Sequence, residues 1–465
     1  MFYLQNRWKL QGNKLVYYGL RNRENLFQNE IRLTRRQAAV IAALPCALSD
    51  AEQKILGTLL HSCVVTEQAL RPVPKTLHEA RFCTRCAAND FIIPGLEFDE
   101  NGLCPMCQTE AQTRNLRSLM PIVTNLPRAK NSRFDVALFY TGGKDSTYLL
   151  YHLSRVLKLR VLALTWEIPF MSPSAKQSME NAKRRFPNVE FISRWVSSDD
   201  LAVFYKKLYS LSENTCACPS LAYVLFYPEL VANRVPYFVA GNEPAQMLGL
   251  YYNHMAPRFA YGFAKNRLLH LLVNVGRVLT LHPPLRSGQL ETLLTMKTLA
   301  FGSSTLQNAL GYKNELVENV VAALRELPQM LPPFQRSVRR SSRSGNIPAF
   351  VHFDLDAVSC GRYDWHETKQ LIAEQCGWVA PEQGDKALHT SCSIERCKEH
   401  SQFARFYHCR SRLIPLSALE IALASRDRNL TREQAIAEME QAMGFTLNTL
   451  PECAAMRAAM REDTP

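Results

Sequence analysis

No apolar run in this chain approaches the ~18–20 residues that a membrane span needs. The most apolar stretch, Leu268 to Leu281, is broken by His270, Asn274 and Arg277. Neither a spanning helix nor a membrane partner is expected. The opening residues, Met1 to Gln11, lack the charged-then-apolar pattern of a secretory signal, so a cytoplasmic location is expected. Without an export signal, the fourteen cysteines argue against a disulfide framework. They point instead to metal ligands, catalytic thiols or buried thiols in a reducing compartment. No internal repeat is visible, which excludes a repeat architecture. Acidic residues are in deficit, 42 against 55 Lys and Arg, for a net charge of +13. The surplus favours an anionic partner such as a nucleotide, a nucleic acid or an acidic small molecule. Charge alone does not separate these from a merely solvated basic surface.

What is present is the composition of an ordinary globular protein, 47% hydrophobic and 21% charged over 465 residues. At roughly 150 residues per domain, that length suggests about three modules. Residues 1–78 read as a small unit. Trp8 and Leu10 alternate with polar residues, Gly12-Asn13 is a turn signal, and Leu15 to Tyr18 can return as a second strand. Thr34 with Gln37, and Ser49 with Glu52, have capping-box spacing and predict two helix starts. A hairpin with two short helices is winged-helix-like and suits docking, packing or nucleic-acid binding.

Residues 130–280 alternate strand-like and helix-like patterns, the signature of a parallel sheet with helices on both faces. The strand candidates are Phe134 to Tyr140, Arg160 to Thr165, Val189 to Ile192 and Tyr237 to Ala240. Tyr148 to Leu157 and Ser174 to Arg185 are helical candidates. Residues 281–345 look helical and end in the basic, serine-rich stretch Arg336 to Arg343, expected to be a solvated linker or, less simply, a phosphate-binding patch. Residues 346–465 begin with a strand, Ala349 to Phe353, and finish helical, with Thr431 and Gln434 capping a late helix.

The sharpest feature is Thr141-Gly142-Gly143-Lys144-Asp145-Ser146-Thr147, set between the first strand of that region and a helix starting near Ser146. Two glycines let the backbone turn tightly and approach an anion. A helix N-terminus offers free N–H groups and partial positive charge. Lys144 adds a full charge, and Ser146 and Thr147 add hydroxyls. The loop is expected to face solvent. Its spacing is neither GxxxxGK[ST] nor GxGxxG.

The loop resembles the SGGxDS loop of the PP-loop ATP pyrophosphatases, with Thr141 in place of serine. The resemblance implies an adenine nucleotide alpha hydrolase-like α/β fold and the cofactors ATP and Mg²⁺. It also implies cleavage of ATP between its α and β phosphates, with AMP passing to a carbonyl or amide oxygen that a nitrogen or sulfur nucleophile then displaces. On this reading Lys144 and Asp145 are catalytic, and Thr141 to Thr147 hold the nucleotide. Thr165-Trp166 occupies the place where this family seats adenine. Gly241-Asn242-Glu243 lies at another strand C-terminus, where open parallel sheets bind ligands.

Cys83-x₂-Cys86, 17 residues, then Cys104-x₂-Cys107 has the spacing of a four-thiolate zinc ribbon. This segment, with Pro94, Phe98-Asp99 and Gly102, resembles the ribbon ahead of the phosphate loop in N-acetyl sugar amidotransferases. Resemblance returns in Tyr363-Asp364, Gly377-Trp378, His389 to Cys392, and Leu416 to Arg426. It covers about 80–440 unevenly and leaves out the N-terminal unit. The modules are therefore 1–78, the ribbon at 79–112, the PP-loop domain at 130–280, a helical segment and linker at 281–345, and a cysteine-containing region at 346–465.

Five further thiols set the choice of transferred atom. Cys216 and Cys218 sit where PP-loop thiolation enzymes carry sulfur-handling or cluster-binding cysteines. Cys392, Cys397 and Cys409 could hold a [4Fe–4S] cluster with one open iron, although the spacing is no standard motif. These thiols favour sulfur transfer to a small molecule or nucleobase, fed by a sulfur-donor protein. The alternative is ammonia transfer to an acidic or nucleotide sugar. No glutaminase domain is recognisable, so a separate glutaminase subunit would supply the ammonia. A third reading, a non-enzymatic zinc-ribbon binder of nucleic acid, leaves the phosphate loop unexplained.

Overall fold

A computed structural model of the chain describes residues 1–20, 30–61, 64–67, 71–109, 122–211, 217–246, 258–261, 263, 265–304, 315–382, 388, 392–441 and 444–461. Its centre is a five-stranded sheet in the order Ala349–Phe350, Tyr237–Ala240, Val136–Phe139, Val161–Glu167, Glu190–Trp195. Every neighbouring pair is parallel. Val136 to Phe139 are all buried. Successive strand residues point to opposite faces, so both faces of this strand are covered, as a parallel sheet requires. The helices Lys144–Tyr151, Pro173–Arg185, Ser198–Leu211 and Cys218–Ala232 make the crossovers.

The strand expected at Ala349 to Phe353 is divided. Ala349–Phe350 adds to the sheet beside Tyr237–Ala240, whereas His352–Phe353 pairs in parallel with Ile122–Val123. The sheet is therefore completed by residues from beyond the expected 130–280 segment. Arg336 to Arg343 is not a linker either. It lies inside the helix Leu331–Ser344, whose Phe334 and Val338 are buried while Arg336, Arg339, Arg340 and Arg343 are exposed. Basic composition masked an amphipathic period.

In the N-terminal unit, Trp8–Gln11 pairs antiparallel with Lys14–Tyr17, and Glu30–Arg32 adds a third strand. Both expected capping boxes form, starting the helices Arg35–Ala42 and Asp50–Leu56. The unit is pinned to the C-terminal region by Arg7, which is buried. Its guanidinium donates to Tyr18 O at 2.5 Å, Phe406 O at 2.5 Å and Tyr407 O at 2.7 Å. Among the described residues, no helix is long and apolar enough to cross a membrane.

Candidate functional site

The phosphate loop leaves the C-terminal end of the strand Val136–Phe139 and enters the helix Lys144–Tyr151, two residues earlier than its sequence suggested. Gly142 has φ +75°, and a Cβ there would stand 2.6 Å from Ala175 O. Glycine is thus required twice over, by backbone conformation and by space. Gly143 N–H donates to Thr141 Oγ1 at 3.3 Å, and Thr141 N–H to Ser146 Oγ at 3.3 Å. These bonds hold the loop in a closed turn at the helix N-terminus, the end that attracts anions.

The parallel register gathers the other expected residues around this turn. Ala240 pairs with Phe139, so Gly241 emerges directly beside the loop. A Cβ on Gly241 would come within 2.6 Å of Ser146 N. On the other side Leu164 pairs with Phe139, placing buried Thr165 and half-buried Trp166 next to Tyr140 and Thr141. Thr141 to Thr147, Thr165, Trp166 and Gly241 to Glu243 therefore share one edge of one sheet.

Lys144 and Asp145 do not face solvent. Their side chains are 11% and 13% exposed, and Glu243 is fully buried. Lys144 Nζ pairs with Asp145 and lies 3.2 Å from Glu243 Oε2. It also sits 4.7 Å from the Tyr363 ring centre and 4.6 Å from that of Trp365, within cation–π range. The Tyr363 hydroxyl donates to Asp145 Oδ1 at 2.8 Å. Burial alone would lower the Lys144 ammonium, but the charges of Asp145 and Glu243 outweigh it and hold its pKa above the ordinary value. Burial pushes the Glu243 carboxyl well above the usual range; Lys144 opposes this, while Asp145 and Glu420 add to it. The site therefore stores a protonated lysine and a carboxyl that resists ionisation at the mouth of the phosphate loop.

Sequence reading missed three members of this network: Trp365, Glu420 and Gln246, whose Nε2 donates to Glu420 Oε1 at 3.0 Å. Glu420 had a faint signal, being an acidic residue inside the apolar helix Leu416–Arg426, which is buried from Ser417 onward. Asp145 and Glu243 carry oxygen atoms of the kind Mg²⁺ takes, but among the described residues no set of three carboxylates gathers closely enough to hold an ion by itself.

The four ribbon cysteines converge. Their sulfurs lie within 4.8 Å of one another, with Cys83 and Cys107 at 3.8 Å and Cys86 and Cys104 at 3.7 Å. Metal–sulfur bonds of about 2.3 Å give a tetrahedron with edges of about 3.8 Å. The thiols thus fit one tetrahedral ion; a four-iron cubane would hold its cysteines farther apart. Backbone N–H groups of Ala88 and Cys104 point at Cys86 Sγ (3.4 Å) and Cys83 Sγ (3.3 Å), hydrogen bonds that metal-bound thiolates can accept. Arg426 Nη1 donates to Met106 O at 3.1 Å, fastening the knuckle to the C-terminal helices.

Among the described residues, Cys392, Cys397 and Cys409 are not brought together. Cys216 lies outside the described residues. Cys218 opens the helix Cys218–Ala232, which runs back from the sheet's ligand edge, since Asn233 at its far end accepts from Ser132 ahead of the central strand. Cys392, Cys397 and Cys409 cannot jointly hold a cluster. Cys392 precedes and Cys409 follows the 15-residue helix Ser393–Tyr407, which at 1.5 Å per residue is about 22 Å long. Cys392 bridges Met171, just beyond the strand that carries Trp166. Cys397 faces buried Cys453, whose proximity and burial raise its thiol pKa. Cys409 lies by Arg7 at the far end of the helix.

No family model matches this chain, and no curated protein matches it. Among solved structures it is similar to the U34-tRNA thiolase NcsA from Methanococcus maripaludis, solved with its [4Fe–4S] cluster. The identity is 14%, over 56% of this chain and 86% of that one, with a TM-score of 0.23. A likeness of that size decides neither the fold nor the activity.

Proposed function

We propose that the chain is an adenylating enzyme that cleaves ATP to AMP and pyrophosphate at the Thr141–Thr147 loop. One observation carries this reading: the two close backbone approaches, at Gly142 and Gly241, which leave a side-chain-free turn over the helix N-terminus beside Thr165 and Trp166. Such a cradle suits a polyphosphate whose nucleoside end reaches the neighbouring strand. Lys144 supplies a positive charge for the leaving pyrophosphate once ATP displaces its present carboxylate partners. A Mg²⁺ ion arriving with ATP would be met by Asp145 and Glu243 and would neutralise phosphate charge.

Adenylation turns a poor leaving group, carbonyl oxygen, into a good one. In the preferred reading hydrosulfide released by a sulfur-donor protein attacks that carbon, AMP leaves with the former carbonyl oxygen, and loss of the S–H proton leaves a small molecule or nucleobase with a C=S group. Cys392, which bridges Met171 just beyond the strand that carries Trp166, and Cys218, which opens a crossover helix of the same sheet, are the candidate sulfur-handling thiols. A second reading, ammonia transfer to an acidic or nucleotide sugar, is favoured by the position of Tyr363. It belongs to the segment that resembles N-acetyl sugar amidotransferases, and it bonds to Asp145 in the loop. A single zinc ion in the ribbon would be structural in either case, since all four ligands are protein thiolates.

The test is to incubate the protein with ATP, Mg²⁺ and a panel of nucleobase and sugar acceptors, separating nucleotides by chromatography. Acceptor-dependent AMP with matching pyrophosphate is expected, and ADP without AMP overturns the proposal. Labelled sulfide and labelled ammonia, offered in parallel, identify the transferred atom.

A further inference from the structure

The helix Arg267–Leu279 is two-faced in an unusual sense. Its inward face packs Leu269 and Val273 against Phe263, Leu285, Leu290 and Leu293. Asn274 clamps it to Leu285, accepting from that residue's N–H at 2.7 Å. Its outward face is also apolar. Leu268, Leu271, Leu272, Val275, Val278 and Leu279 recur every three to four residues and form one stripe along the helix. They are between 48% and 79% exposed, and Leu281 just beyond is 92% exposed. Surface leucines scattered singly need no explanation, but six large apolar side chains gathered in one exposed stripe, with a seventh just beyond it, mark an interaction surface.

The surroundings say what could cover it. Residues 244–290 contain no Asp or Glu, and neither do 331–348. Lys265 and Arg267 stand exposed at the start of the stripe. At its other end Arg277 donates to Ser342 O at 2.9 Å, joining this helix to Leu331–Ser344, which exposes Arg336, Arg339, Arg340 and Arg343. An apolar stripe with only basic residues beside it is poorly suited to a second copy of itself. Two-fold pairing would bring cationic rims together with no acidic residue between them, and like charges in close juxtaposition repel. It is well suited to a surface that is apolar within and anionic at its rim.

We propose that the stripe is a membrane-surface anchor, with Leu268 to Leu281 entering the headgroup–acyl boundary and Lys265, Arg267 and the Leu331–Ser344 arginines pairing with anionic lipid phosphates. No spanning segment is required, so the absence of a long apolar run, which led the sequence to predict no membrane partner, does not bear on it. The docked helix would seat the enzyme on a bilayer. The inference rests on this surface alone and is independent of the chemistry proposed for the phosphate loop.

The experiment is co-sedimentation of the full chain with vesicles of phosphatidylcholine and phosphatidylglycerol in equal parts, compared with pure phosphatidylcholine. The wild type should pellet with the anionic vesicles, and much less with the neutral ones or at high salt. Leu272→Asp/Leu279→Asp should weaken binding by at least about tenfold, because each leucine no longer leaves water. Arg340→Glu/Arg343→Glu should lose the preference for anionic lipid. Both positions are exposed, so thermal melts should match the wild type; Leu268→Asn/Leu279→Asn gives the same reading if the aspartates disturb the helix. Failure of the wild type to bind, or equal binding by the leucine variants, overturns the proposal. So does a wild-type dimer in analytical ultracentrifugation that Leu272→Asp/Leu279→Asp converts to monomer, which would make a second copy the occupant.

Discussion

The Tyr363 hydroxyl donates to the Asp145 carboxylate at 2.8 Å across 218 residues of sequence. With Trp365 it roofs the Lys144 ammonium, so a segment from the last quarter of the chain closes the phosphate loop at the sheet's edge. Removing the hydroxyl should loosen that closure without emptying the space. Tyr363→Phe is expected to raise the KM for ATP more than it lowers kcat; an unchanged KM would place Tyr363 outside the working site.

Lys144→Met should abolish ATP cleavage. It should also destabilise the fold, because the buried Asp145 and Glu243 side chains lose the cation they pair with. A fully stable, inactive variant would mean that Lys144 is in practice solvated. Lys144→Met/Glu243→Gln should recover much of the stability and none of the activity, as measured by denaturant melts and AMP formation.

Gly241→Ala inserts a methyl group 2.6 Å from Ser146 N. Overpacking of this kind typically costs 1–3 kcal/mol. Here the strain falls on the loop, so ATP turnover should drop by more than the melting temperature suggests. Gly276→Ala, with nothing within 4 Å of the added Cβ, is the matched control.

Chelation, or Cys83→Ser, should release one metal ion per chain and lower stability, since metal binding and folding are coupled. Elemental analysis should find zinc without acid-labile sulfide. Iron with sulfide in the Cys83–Cys107 site would refute the single-ion assignment. Cys409→Ser should leave product formation unchanged because Cys409 lies at the Arg7 end of its helix. Cys392→Ser and Cys218→Ser should reduce it only if sulfur is transferred.

Asp135 sets an acid limit. Burial alone would raise its carboxyl, but hydrogen bonds from the Arg160 side chain and from the Arg160 and Ala129 N–H groups, with the Arg160 charge, lower its pKa to about 2. A lowered folded-state pKa gives stability that is present above the unfolded value near 4 and lost as pH falls toward 2, worth about 2 kcal/mol for this group. Asp135→Asn should flatten the stability profile across that window, as followed by thermal melts.

The sequence by itself determined the elements whose cause is local. The capping boxes at Thr34 and Ser49 form because the cap and its partner are three residues apart. The glycine turn at 141–143 and the convergence of Cys83, Cys86, Cys104 and Cys107 likewise follow from short-range spacing and backbone freedom. Sequence also marked all five sheet strands as strands, since buried parallel strands are apolar runs, but not that Ala349–Phe350 joins the other four in one sheet. Only the tertiary structure decided the rest. The fifth strand, Tyr363, Trp365 and Glu420 reach the site from far along the chain, and no local pattern encodes which distant segment will cover a given edge. The same holds for what failed to gather: Cys392 and Cys409 are near in sequence, but the intervening residues form one straight helix, and its length keeps them apart.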